Sequence, residues 1–273
     1  SDLSAKLTVD EAEIGIGFRM DMNVIQELYT DLTCRSSDLI SELHRAFPPI
    51  ERTKEIIPKV NNAKLGYQKG VPFVKRRMEK LNPRSREQLA ERLMLKYGWH
   101  APRDPRTGKA NLDDDVLKSL TFPEIKTIRD FLVIEKTLGM VSTGKNGWLK
   151  LEKAGRLHPR FNTCGAVTGR MTHATPNIAQ VPKVQFKDKK ILHGIEGGFG
   201  YECRSIFTVP DGWVQVGVDL AGLELRCLAH FLAEYDDGEY INTVLHGDVH
   251  TVNQLAAGLP TRDAAKTFIY AFL

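Results

Sequence analysis

The chain has no run of eighteen apolar residues, no internal repeat and no low-complexity tract, and only four of its 273 residues are cysteine. The first absence excludes a transmembrane helix. The N-terminal stretch SDLSAKLTVD lacks the basic, apolar and small-residue order of a signal peptide, so nothing directs the chain to a membrane or out of the cell. Cys34, Cys164, Cys203 and Cys227 are widely spaced and form no CxxC or Cys/His cluster. That spacing argues against a zinc site and a disulfide framework, and reads as reduced thiols in a cytosolic compartment. What is present is ordinary globular material: 42% hydrophobic residues over a length that suits one large domain or two modest ones.

Charge is divided unevenly along the chain. Residues 48–109 carry sixteen Lys/Arg against six Asp/Glu, whereas residues 219–263 carry eight Asp/Glu against two Lys/Arg. A basic segment and an acidic one in a chain of net charge +4 suit a polyanion held in one place and cations gathered in another, with two solvated surfaces as the alternative.

Apolar spacing of three, four and seven over residues 23–47 predicts an amphipathic helix, with Asp21 as cap and Pro48 and Pro49 as its stop. Residues 50–80 are cationic and weakly periodic, which predicts a loop or mobile insertion. Helices are expected again at 85–97, 114–120 and 123–140. After Trp148 short apolar segments alternate with Gly, Pro, Asn and Thr, as strands and loops do. The run WVQVGVDL at 213–220 predicts a buried strand by its valine spacing, followed by helices at 222–235, 238–245, 249–257 and 261–273.

Four groupings carry chemical meaning. Asp219, at the end of an apolar strand, suits a metal-binding carboxylate, with the Leu220 carbonyl as a second oxygen donor; capping the following helix is the competing role. Arg262, Lys266 and Tyr270 stand at i, i+4 and i+8, within about 80° of one another on a helix. Ala265, Phe268, Ile269 and Phe272 supply a separate packing face, so the cationic stripe is suited to phosphate oxygens or to a solvated surface. In HGDVH, Gly247 separates His246 from His250, and Asp248 reads as the N-cap of the next helix, which argues against a zinc pair; His250 then serves an anion or packing. In GAVTGRMTHATPNIAQVP, at 165–182, small residues and turn formers surround Arg170, His173, Asn177 and Gln180, which are suited to groove edges and sugars.

Taken in order, TGRMTHATPNIAQVP, VGVDLAGLELRCLAHF, HGDVH and TRDAAKTFIYAF closely resemble the core of the family A DNA polymerases, specifically the replicative polymerases of phages. The match is near-continuous from about residue 157 to 273. Residues 15–155 resemble the family's thumb more loosely, in GFRMDMNVIQELY and around residues 131–140.

The resemblance implies an α+β, right-hand polymerase fold. A mostly helical thumb would occupy 1–156, with a basic insertion at about 48–80; the first part of an antiparallel-sheet palm would occupy 157–235, and the start of the fingers 236–273. It implies template-directed nucleotidyl transfer from a dNTP to a primer 3′-hydroxyl, with Asp219 as one of two aspartates binding two catalytic Mg²⁺ ions, assisted by the Leu220 carbonyl. Asp219 and Lys266 would be catalytic, and Glu224 would exclude a 2′-hydroxyl. His250, Arg262 and Lys266 would hold the triphosphate, and Tyr270 would lie against the sugar. Arg170, Asn177 and Gln180 would contact the primer-template, and the basic segment would become the thumb's phosphate grip.

The family's second carboxylate motif, His-Asp-Glu, lies downstream of the last helix seen here. The expectation is one part of a split or truncated enzyme, inactive without the missing C-terminal palm and completed by a second polypeptide carrying the rest of fingers and palm. A non-catalytic DNA-binding remnant is the alternative. The carboxylate motifs of a 3′–5′ exonuclease domain do not precede the thumb, so that activity is expected on a separate exonuclease. The 48–80 stretch is short beside the thioredoxin-binding insertion of some phage relatives, so that partner is not expected. The resemblance places the protein in the cytoplasm of the infected host cell.

Overall fold

The computed structural model describes residues 17–218 and 220–272. The chain divides into two compact units, Ser1–Val214 and Gln215–Leu273. The first mixes helices with short antiparallel strands and the second is helical among its described residues, an α+β chain as a whole, and no helix among the described residues is long and apolar enough to cross a membrane.

The first unit is organised by a long helix, α1 (Met22–Ala46), and α4 (Ile125–Leu138), which pack on each other. The Asp21 carboxylate caps α1 by accepting from the amides of Asn23 and Val24 at 3.0 and 3.2 Å, satisfying donors that have no partner within the helix. Ile25, Leu28, Leu32 and Leu43 recur on one face of α1 and are buried; Ile128, Phe131 and Ile134 answer from α4. Each such aliphatic side chain contributes about 1.5–3 kcal/mol by burial. Two clusters result. One gathers Ile25, Leu32, Ile134, Trp148 and Phe199, and the other gathers Leu43, Leu89, Leu93, Leu117 and Phe131. A polar tie crosses between the helices: the Ser36 hydroxyl donates to Glu135 at 2.7 Å, and Arg84 holds the same carboxylate at 2.6 and 2.9 Å.

α2 (Arg86–Tyr97) begins where expected, with the Ser85 hydroxyl accepting from the Gln88 amide at 3.3 Å, and ends at Gly98 in the left-handed region. α3 (Asp114–Lys118) is a single short turn. After α4 the helix widens into a π-helical turn, Gly139–Thr143, and the chain then enters α5 (Trp148–Leu151). Gly147 sits where a Cβ would lie 2.3 Å from the Ser142 carbonyl oxygen, so the close return of the chain there requires glycine.

Three short strands form one antiparallel sheet: β1 (Phe18–Met20) lies between β4 (Arg156–Leu157) and β9 (Phe207–Thr208). The remaining pairs are β5 (Arg160–Asn162) with β6 (Thr172–Ala174), and β7 (Phe186–Lys187) with β8 (Lys190–Ile191). α6 (Gly200–Ser205) leads into β9.

The basic stretch expected to be a loop is instead a hairpin. β2 (Ile50–Ile56) and β3 (Phe73–Glu79) pair along seven residues, from Ile50↔Glu79 to Ile56↔Phe73. A two-stranded ribbon is solvated on most of both faces, so its side chains are polar and no apolar alternation appears in the sequence; β-branched Ile50, Thr53, Ile56 and Val74 are what marks it.

The second correction concerns the expected strand at 213–220. Among the described residues this segment pairs with no strand, and Trp213 and Val218 are 72% and 85% exposed. Alternating valines encode a capacity for pairing, but a strand forms only where a neighbour satisfies its backbone groups.

The second unit consists of α7 (Leu223–Asp236), α8 (Glu239–His246), α9 (Val249–Ala256) and α10 (Arg262–Phe272). α7 packs on α8, and α9 on α10. Leu225, Ala229, Ala265 and Ile269 form the buried positions. Phe268, expected on the packing face of the last helix, is exposed, and the side chain of Phe272 lies outside the described residues.

Candidate nucleotide and nucleic-acid sites

α9 and α10 bring three of the predicted phosphate-binding residues to one place. Asp248 caps α9, its carboxylate accepting from the His250 and Thr251 amides at 3.2 and 3.4 Å and from the Thr251 hydroxyl at 2.8 Å. Gly247 breaks the preceding helix, so His246 and His250 lie on different elements, as expected. The same Asp248 carboxylate receives the Arg262 guanidinium in a two-pronged pair, Nε to Oδ2 at 2.8 Å and Nη2 to Oδ1 at 3.0 Å. The Arg262 pair and then the Thr251 hydroxyl hold the Asp248 carboxyl well below the usual carboxylate range, and Arg262 is raised in turn.

His250 lies within electrostatic reach of Arg262 and Lys266 and near Tyr270. Its ring centroid lies 6.2 Å from that of Tyr270, at 53°. Its Nδ1 is buried with no hydrogen-bond partner among the described residues. Burial first, and then the charges of Arg262 and Lys266, lower its pKa, with Asp248 opposing. An imidazole whose Nδ1 has no partner, beside a guanidinium and an ammonium, is chemically suited to an anion. Lys266 is exposed one turn along α10 from Arg262, and Tyr270 a turn further.

Glu224 is half-buried in the first turn of α7, directly after Gly222 in the left-handed conformation, and Leu220 is exposed. Asp219 lies outside the described residues. No group of three His, Cys, Asp or Glu side chains among the described residues converges as a metal site. Asp219 and the Leu220 carbonyl are nonetheless oxygen donors, the class that Mg²⁺ accepts.

The first unit holds a second candidate site. Asn177 caps the short 3₁₀ turn Ile178–Gln180 by accepting from the Ala179 amide at 3.1 Å. Asn177 and Gln180 line a groove of about 450 Å³ with Lys136, Asn146, Trp148 and Gln185. Amide side chains and one ammonium over an apolar floor are donors and acceptors suited to base edges and sugar oxygens. Arg170 is exposed in the turn before β6, where its carbonyl accepts from the Ala166 amide, and does not line the groove. Lys136, Asn146 and Gln185 escape sequence reasoning because they come from distant elements that only folding brings together. The Asp248–Arg262 pair escapes it for the same reason, since its spacing depends on how α9 meets α10.

Comparison with known proteins agrees with this arrangement of helices and short antiparallel sheets. The family model for DNA polymerase family A matches residues 68–273, and the chain belongs to that family. It is 35% identical over 311 residues to the DNA-directed DNA polymerase of Escherichia phage T7, covering 94% of this chain and 42% of that protein. It is 28% identical over 203 residues to the thermostable DNA polymerase I of Thermus aquaticus, covering 70% of this chain and 23% of that one. The chain thus spans about two fifths of the length of its phage relatives. In fold it is similar to the POL domain of Pol1 from M. smegmatis, solved in complex with DNA primer-template and dNTP, with a TM-score of 0.56 at 19% identity over 99% of this chain and 41% of that one.

Proposed function

We propose that these residues furnish the incoming-nucleotide site and part of the primer-template path of a DNA polymerase that joins a dNTP to a primer 3′-hydroxyl. The observation that carries this is the cluster on α9 and α10, where Arg262, Lys266 and Tyr270 share a stripe beside His250 and its unused ring nitrogen.

In this reading the triphosphate takes the place of Asp248 on the Arg262 fork, exchanging a carboxylate for two phosphate oxygens, while Asp248 continues to cap α9. Lys266 sets its ammonium against the charge that accumulates on the leaving pyrophosphate, and His250 donates from its ring to a further oxygen. Tyr270 lies on the sugar, and Glu224 excludes a 2′-hydroxyl. Asn177, Gln180 and Arg170 contact the minor groove of the primer-template, joined in the groove by Lys136. Asp219 and the Leu220 carbonyl hold Mg²⁺, which when bound stabilises the attacking and leaving oxygens. Residues 1–156, 157–235 and 236–273 correspond to thumb, palm and fingers, and the reaction takes place in the cytoplasm of an infected host cell.

Primer extension by the complete enzyme tests the assignment. Asp219→Asn is expected to abolish extension, and Lys266→Ala to slow it by about 10²-fold or more, the scale for removing one preorganised charge stabiliser. Wild-type rates in both variants would overturn it.

A further inference from the structure

The β7–β8 hairpin begins where the groove of the first unit ends. Gln185, which lines that groove with Asn177 and Gln180, directly precedes β7. Residues 183–191, KVQFKDKKI, carry four lysines and one carboxylate. Lys183, Lys187, Lys189 and Lys190 are exposed, and among the described residues they form no ion pair.

The register sorts these side chains onto two faces. Phe186 pairs with Ile191 and Lys187 with Lys190, and the Leu192 amide donates to the Gln185 carbonyl at 2.9 Å, which carries the ladder one step further. Successive residues of a strand point to opposite faces. Gln185, Lys187 and Lys190 therefore share the face that continues from the groove, while Phe186, 63% exposed, and Ile191 occupy the other. Like charges directly opposite one another destabilise a strand pair. Lysines on exposed strands discourage strand addition, but that role gives no reason for an exposed phenyl ring behind them.

The hairpin is held firmly at its base. Arg204 of α6 donates from Nε to the Pro182 carbonyl at 2.8 Å, and a Cβ at Gly200 would stand 2.0 Å from the Lys183 carbonyl oxygen, so the first strand approaches α6 closely. On the return, the Gly194 amide donates to the Glu202 carboxylate at 2.8 Å. Asp188 and Lys189 form the two-residue turn, with φ of 49° and 64°. Tight hairpin turns demand such angles, and glycine adopts them most easily. Lys189 adopts one against its preference and adds an exposed ammonium to the tip.

We propose that the β7–β8 hairpin holds an unpaired nucleic-acid strand continuing from the groove, with phosphates on Lys187 and Lys190 and one base stacked on Phe186. The described sheet has two strands, so its two faces meet along edges without a further strand. A single strand passing along such an edge reaches both faces, because its bases turn independently of its phosphates. A duplex keeps its bases inward and offers a cationic surface only phosphates along its length. The continuity with the groove rests on the DNA-synthesis reading above.

The test is anisotropy of the full chain with three labelled probes: an oligothymidylate single strand, a blunt duplex and a primer-template. Phe186→Ala is expected to weaken the single strand roughly tenfold and to leave the blunt duplex unchanged, whereas Phe186→Trp keeps wild-type affinity for both. Lys187→Gln combined with Lys190→Gln should lower the salt slope for the single strand by about 0.7 for each phosphate no longer neutralised. Circular dichroism should be unchanged in every variant. Wild-type affinity of Phe186→Ala for the single strand would overturn the proposal, as would an equal loss on the blunt duplex. Loss of an oligo-glutamate probe by the lysine variant, with single-strand binding retained, would assign the face to an acidic protein and overturn it too. Wild-type binding of the primer-template without the oligothymidylate would overturn the hairpin's role and leave the polymerase reading standing; binding of none of the probes would overturn both.

Discussion

Arg262 and Asp248 are joined by two hydrogen bonds, at 2.8 and 3.0 Å, that tie the first turn of α10 to the N-cap of α9. One carboxylate thus serves as helix cap and as counter-ion to a proposed phosphate ligand. Asp248→Asn keeps a capping side chain and removes the charge, whereas Asp248→Ala removes both. The alanine variant is expected to cost about 1 kcal/mol more than the asparagine variant, measured by denaturant unfolding.

The pH dependence of the same pair has a definite sign. Because the folded Asp248 carboxyl is lowered, its contribution is complete above the ordinary carboxylate pKa, about 3.9, and is lost as pH falls through the lowered folded value. The stability difference between wild type and Asp248→Asn should therefore be constant from pH 7 to about 5 and shrink only in stronger acid. A difference that disappears near neutrality would contradict the pair.

His250 should titrate below an ordinary histidine, whose pKa is about 6.5, because burial and then Arg262 and Lys266 oppose its protonation. Proton NMR of the ring should show a lowered midpoint that moves up in Lys266→Ala and up again when a triphosphate binds. A midpoint unmoved by either change would place the ring outside the anion site.

Gly147→Ala is expected to destabilise the first unit by about 1–3 kcal/mol, since the added Cβ would meet the Ser142 carbonyl oxygen at 2.3 Å and its carbon at 2.6 Å, both backbone. The same turn carries Asn146 and Trp148 to the groove shared with Asn177 and Gln180, so duplex affinity should fall with it. Unfolding midpoints and duplex binding check the two effects separately.

Helices were legible in the sequence wherever an apolar stripe and a cap coincided. Asp21 and Asp248 start helices as their side chains predict, and Leu28, Leu32 and Leu43 are buried as their spacing requires. The β2–β3 hairpin was not, because a ribbon wet on both sides leaves no apolar period to read. Trp213 and Val218 misled in the opposite sense, carrying the pattern of a strand where no described strand pairs with them. At the candidate site, the stripe of Arg262, Lys266 and Tyr270 followed from helical geometry alone. Its relation to Asp248, fourteen residues earlier, depends on the packing of two short helices and has no sequence period.

The proposal stands most directly on whether α10 binds a nucleoside triphosphate. Calorimetric titration of the chain with a dNTP in Mg²⁺ buffer is predicted to give saturable binding, weakened about tenfold or more in Arg262→Ala and further when Lys266→Ala is added, with unfolding midpoints retained. Equal binding by wild type and the double variant, or none by wild type, would contradict the account.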